Sequence, residues 1–345
     1  MKILICNSAG MSAHYWFNLG LSRAFQALGH EALIWDNSKV SEFDAFDKFE
    51  PDIFIGQTYC VNEALIKCIK QRPFTKVILK ASDYGYLSDK TRKDSPIVRV
   101  TEEELRKVDE LRFSGLFSNL KLHIHYHPDY LNFTHDGWGR EGYDVYSIMN
   151  AADTFEYLGS EYKKEYDCDI GFVGNFWSYK AETLNTYLYP LCYGNKYKVK
   201  ICGNSHHPVP QYIGSLPFGS EKNFYKSCRI NFSMSEPHSR EFGYDVIEKP
   251  FKIACSKGFF VSDYVDGLNK LFSEDIVMVK DPSEVKETVD FFLENESERK
   301  KHVESMYNNV IESHTYLDRA AQILDIFEIE HKLKEVKLEH INNWV

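Results

Sequence analysis

Two α/β domains in tandem, each built on a parallel sheet, are what this sequence predicts. Three observations lead there. The chain has 345 residues, enough for two domains of roughly 100–200 residues each. Short apolar runs alternate with stretches of helical periodicity along the whole length, the pattern of successive βαβ units. The alternation is interrupted by a polar, charged segment, Gly159–Asp167 (GSEYKKEYD), after which a second series begins.

The first series opens with Lys2–Cys6, an apolar run read as a buried strand. Tyr15–Leu28 puts Phe17, Leu21, Ala24, Phe25 and Leu28 on one helical face, and Gly29-His30 stops the helix. Ala32–Trp35 is the next strand, completing a unit with a right-handed crossover. Strands follow at Ile53–Ile55, Lys76–Lys80, His123–Tyr126 and Asp144–Ile148, with helices at Val61–Lys70 and Glu102–Leu111. The second series reads as strand Ile170–Val173, helix Ala181–Leu191, strands Tyr197–Cys202 and Ile230–Phe232, helix Pro250–Cys255, strands Phe259–Ser262 and Ile276–Val279, and helix Pro282–Glu294. The remainder, Ser297–Asn342, is largely helical. The expected domains are 1–155 and 156–325, Rossmann-like and facing a central cleft. A terminal helix, 326–345, is expected to pack back on the first domain, with Trp344 suited to that docking.

Composition narrows the function. A formal net charge of -10 speaks against a dedicated nucleic-acid binder. A local basic track remains available in Lys90–Lys93 with Arg99, Arg106 and Lys107, although a solvated face explains it as well. The 22 Tyr and 24 Phe are mostly core material. Eight cysteines without a CxxC pair read as reduced core thiols. No apolar stretch reaches the roughly 18 residues of a membrane span. The N-terminus reads as a strand rather than a signal peptide, so a cytoplasmic location is expected.

The chemistry-bearing residues gather at the ends of predicted strands, where open α/β sheets bind ligands. In DIGFVGNFWSY the strand runs into Gly174-Asn175, where glycine lets a backbone approach a diphosphate. The densest polar stretch is Ser233–Asp263, holding Ser235, His238, Arg240, Asp245, Glu248 and Lys249. Glu248 can accept ribose hydroxyls, and Lys249 can face a phosphate as a point charge. A capping carboxylate and a solvated lysine are the structural alternative. In the first domain His14 follows the first strand and Asp83 follows the strand Lys76–Lys80, so both are candidates for a general base. His123, His125 and His127 alternate with the period of a strand, yet no carboxylate cluster accompanies them as metal partners. Asp167-Cys168-Asp169 precedes a strand and is set aside as a metal motif. The loop NSAGMSAH lacks GxGxxG, which disfavours a dinucleotide-dependent oxidoreductase.

The segments MNAADTFEYL, DIGFVGNFW-YK, VKICGN followed by VPQY, SEPHSREFGYDVIEKPFK, GFFVSDYV and ESHTYLDR resemble the spore-maturation CgeB-like family of GT-B glycosyltransferases. They span about residues 149–319, nearly the whole second domain. The resemblance implies a GT-B fold and a metal-independent transfer of sugar from a nucleoside diphosphate sugar, a UDP-sugar, with no further cofactor. It also implies a donor site at Gly174, Asn175, Asn204, Ser235, His238, Asp245, Glu248, Lys249 and Phe251, with Arg240, Lys249 and Lys252 as the cations for the diphosphate. Lys252 departs from the family pattern, which has Glu there, and Glu248 can take over its role. The acceptor stays open between a glycan, a protein side chain, a metabolite and a hydroxymethylated DNA base. A non-catalytic scaffold that binds a nucleotide or glycan is one alternative. A nucleotide-sugar epimerase is the other.

Overall fold

From Ile3 onward every side chain of the run KILICN is buried, which a strand achieves only inside a sheet covered on both faces. It forms β1 (Lys2–Asn7) of a six-stranded parallel sheet that continues with β2 (Glu31–Asp36), β3 (Ile53–Gln57), β4 (Lys76–Lys80), β5 (Leu120–Ile124) and β6 (Val145–Ser147). The spatial order is β2-β1-β3-β4-β5-β6. The computed structural model describes residues 1–7, 13–87, 100–112 and 119–344. The basic run at Lys90–Lys93 with Arg99, and the middle of the first loop (8–12), lie outside these residues.

Side-chain caps fix several helix starts in this unit. Ser41, Asn62 and Thr101 accept backbone N–H groups at the starts of the helices Glu42–Phe49, Glu63–Lys70 and Glu102–Leu111. The three histidines do not share a strand face. β5 ends at Ile124, so only His123 belongs to it, and His127 caps the short turn Pro128–Tyr130.

The second sheet is also wholly parallel. It contains β7 (Cys168–Val173), β8 (Val199–Cys202), β9 (Cys228–Ser233), β10 (Phe260–Asp263) and β11 (Val277–Val279) in the order β11-β10-β9-β7-β8. The segment expected as one helix, Ala181–Leu191, is instead broken. An α-turn, Ser178–Thr183, passes into a π-segment, Leu184–Leu188, and then a 3-10 turn, Tyr189–Cys192. Pro190 explains the break, because it has no N–H for the helical ladder.

The chain divides into two units, Met1–Met149 with Tyr316–Asn343, and Asn150–Thr315 with Trp344. The first unit thus regains the chain at Tyr316. There the helix Tyr316–Ile326 packs on the helix Ala13–Ala27 so closely that a Cβ on Gly20 would lie 2.2 Å from the Tyr316 ring. Trp344 does not dock on the first unit. Its ring lies against Gly159, and Lys222 Nζ sits 5.8 Å from its centre, both in the second unit. All eight cysteines are free thiols. Among the described residues no helix is long and apolar enough to cross a membrane.

Candidate active site

In the second unit the C-terminal strand edge carries most of the residues singled out from sequence. β7 runs into Gly174-Asn175, and β8 into Gly203-Asn204. The two loops are zipped together. Asn175 Oδ1 accepts the Asn204 N–H at 2.8 Å, Ser205 Oγ accepts the Phe176 N–H at 2.5 Å, and His207 Nε2 meets the Gly174 carbonyl at 2.9 Å. A Cβ on Gly203 would fall 2.1 Å from the Gly174 oxygen, so this approach requires glycine. Asn175 and Asn204 therefore shape the loop through their mutual bond.

Lys249 stands at the start of the helix Lys249–Cys255 and reaches toward Gly174. Its Nζ lies 4.1 Å from the centre of the Phe172 ring and would be 3.2 Å from a Cβ at Gly174. That nitrogen is shut off from solvent and has no hydrogen-bond partner among the described residues. Burial, and then the charge of Lys180, hold its pKa well below the ordinary 10.5, with Glu221 and Glu236 opposing. Two residues that sequence reasoning passed over complete this corner. Lys180 is buried and pairs with Glu236 Oε1 at 3.3 Å, while Glu236 Oε2 is buried without a partner. The corner thus presents a buried lysine nitrogen and a carboxylate oxygen, each without a hydrogen-bond partner among the described residues, at a glycine-lined strand end. Such groups are costly unless a ligand completes them.

Glu248 and Lys252 form an ion pair at 2.7 Å, one helical turn apart. Lys252 is held above its ordinary pKa by Glu248 and Glu221 in spite of burial. It is therefore a bound counter-ion to Glu248 and not a spare cation for a diphosphate. Phe251 is fully buried against Phe272 and His314, with ring centres 5.5 Å apart in each case, and belongs to the core. Ser235 donates its N–H to Asp263 Oδ1 at 2.9 Å. His238 faces Asp245 Oδ2 at 3.3 Å through Nε2 and the Tyr179 hydroxyl at 3.1 Å through Nδ1.

Arg240 is also committed. It donates to Thr183 and to Asp263 Oδ2 at 3.3 Å, and its guanidinium lies over Tyr187. Asp263 is wholly buried, so Arg240 neutralises a core carboxylate instead of waiting for an anion. Arg240→Ala is expected to destabilise the protein by about 3 kcal/mol, because it strands that carboxylate. A denaturant titration of the ligand-free variant checks this, and a midpoint equal to wild type would return Arg240 to the binding residues.

In the first unit the C-terminal edge of the sheet gathers His14, Lys80, Asp83, His123 and His135. Asp83 is buried, with its Oδ1 4.0 Å from His135 Nε2. Burial, with the nearby positive charge of Lys80, holds His14 to a pKa of about 2 and His123 to about 3. Burial holds His135 to about 3 as well. Burial thus favours the neutral form of all three imidazoles. Among the described residues no three His, Cys, Asp or Glu side chains are grouped to hold a metal ion.

Comparison with known proteins places this geometry. Residues 163–325 match the family model described as glycosyl transferase-like. No curated protein matches the sequence. Among solved structures, the chain resembles the T4 phage BGT in complex with its UDP-glucose substrate at a TM-score of 0.58 and 12% identity, over 95% of this chain and 98% of that one. It resembles an alpha-glucosyltransferase in complex with UDP-glucose and DNA containing an abasic site at 0.63 and 15%, over 94% and 98%. Sucrose-phosphate synthase from Thermosynechococcus elongatus matches at 0.62 and 10%, over 94% and 98%. These likenesses, with the two parallel-sheet units, give the chain the GT-B fold, and the glycosyl transferase-like match covers most of its second unit.

Proposed function

We propose that the chain is a glycosyltransferase that moves a sugar from a UDP-sugar to an acceptor hydroxyl. The observation that carries this reading is the buried, unpartnered Lys249 ammonium beside Gly174. A diphosphate leaving group develops negative charge as the sugar–oxygen bond breaks, and a preformed cation in a water-poor site stabilises that charge. The unused Glu236 oxygen supplies an acceptor for a sugar or ribose hydroxyl. The glycosyl transferase-like match over 163–325 supports the same donor unit, as do the CgeB-like segments. No metal is required in this scheme, so turnover should survive a chelator.

For the first unit we assign Asp83 as the base that takes the acceptor proton. His14 is the poorer choice, since burial and the neighbouring Lys80 charge disfavour the imidazolium that it would form on taking a proton. Two of the similar structures are DNA-modifying or DNA-bound glucosyltransferases, which makes a hydroxymethylated base the first acceptor class to test, ahead of glycans and small metabolites.

The test is a thermal-shift panel of nucleoside diphosphates and their sugars, since a ligand of the native state raises the melting temperature. UDP and a UDP-sugar should shift the protein by several degrees. A well-folded protein unmoved by every nucleotide would favour a scaffold that has lost its donor site.

A further inference from the structure

The second sheet has a cavity at its other edge. Its volume is about 580 Å³, within the range of small-molecule sites. The walls come from the start of β9 (Lys226–Arg229), the turn before β10 (Lys257–Phe259), the first turns of the helix Glu296–Ser313, and Tyr162 and Asp167, the latter paired with Lys198 at 3.0 Å. These are N-terminal strand ends. The helix Lys249–Cys255 separates this cavity from the Lys249 corner, with Lys249 at its first residue and Lys257 just past its last.

The cavity is cationic on a chain whose net charge is -10. Three of its cations are already committed. Arg229 pairs with Asp169 at 3.0 Å, Lys300 pairs with Glu296 at 2.7 Å, and Arg299 donates to the carbonyls of Phe292 and Leu293. Among the described residues no carboxylate pairs with Lys226 or Lys257. Lys226 Nζ reaches only the Lys257 carbonyl, at 3.4 Å, and Lys257 Nζ rests over the Tyr307 ring at 4.5 Å. Burial, and then the neighbouring Lys257 charge, pull the Lys226 ammonium below its ordinary pKa. Glu304 also lines the cavity, exposed and outside these pairs.

Lys257 closes the helix Lys249–Cys255 with φ of 52°, in the left-handed region where helix ends usually place glycine. Its N–H bonds the Ala254 carbonyl at 2.9 Å, and the next N–H, of Gly258, bonds Ile253 at 3.0 Å. Glycine would adopt this φ freely.

We propose that this cavity binds a small phosphorylated molecule, with the phosphate held between the Lys226 and Lys257 ammoniums. Two adjacent point charges suit a dianion, and the Tyr307 and Phe259 rings offer an apolar wall to the rest of the ligand. The site is separate from the donor corner, so it stands whether or not the chain transfers sugar.

Pyrophosphate is the probe, titrated calorimetrically at low ionic strength into the full chain carrying Lys249→Met, which silences the donor corner. Binding should persist in that background and weaken at least tenfold on adding Lys226→Met or Lys257→Gly. Glu304→Gln should tighten it a few-fold by removing a like charge. Lys257→Gly suits the left-handed backbone, so this variant should unfold no earlier than its parent, and its lost binding then reports the missing ammonium. Absence of binding in the Lys249→Met background, or unchanged binding after both lysine substitutions, would overturn the proposal.

Discussion

Lys249→Met should cost turnover about 10²- to 10³-fold, the usual effect of removing one preorganised charge from a reacting anion. Affinity for UDP should fall along with it. The same variant should be more stable than wild type without ligand, by about 1–2 kcal/mol, because a buried unpaired charge is exchanged for an apolar chain of similar length. The sign of its pH dependence follows from the lowered pKa. Between that depressed folded-state value and 10.5 the unfolded chain binds the proton and the folded chain does not, so wild-type stability rises with pH through this window. The gap between variant and wild type is widest at lower pH and closes toward pH 10.5. Saturating UDP should reverse the ranking by stabilising only the wild type. Paired melts with and without UDP, at two pH values, check all of this. A Lys249→Met chain less stable than wild type without ligand would mean that Lys249 is a structural lysine with a partner.

Asp83→Asn should lower kcat by about 10²- to 10⁴-fold while leaving UDP binding unchanged, if Asp83 takes the acceptor proton. Asparagine keeps the shape and loses the basicity, so folding is preserved. His14→Gln separates the two candidates, because it should leave the acidic limb of the pH–rate profile where wild type has it. Loss of that limb in His14→Gln, with Asp83→Asn still active, would reverse the assignment.

The strands were legible because buried parallel strands hold unbroken apolar runs, as in Ile3–Cys6 and Ile170–Val173. The helix Glu42–Phe49 was not, since only Ala45, Phe46 and Phe49 of EFDAFDKF are buried and its charges mask the period. The helix Pro237–Phe242 is too short for a period to show. Lys249 stood out in the sequence because Pro250 marks a helix start beside it. Lys180 and Glu236 are 56 residues apart in the sequence and became a pair only through the fold. Arg240 looked like a free cation for the opposite reason, since its carboxylate partner, Asp263, lies 23 residues downstream. Phe251 sits in a polar motif, yet the helix turns it inward to Phe272. Sequence spacing reports which residues share an edge of the sheet, but not which charges are already matched.

The contact of Tyr316 with Gly20 also bears on the order in which the protein comes into being. During synthesis the continuous body of the second unit, Asn150–Thr315, is made before the first has received its closing helix, and only Trp344 joins that unit later. The earlier-made unit must wait, with the groove over Gly20 uncovered, until Tyr316–Ile326 leaves the ribosome. The half whose first strand is made earliest therefore receives its closing helix only after the body of the other half has been made.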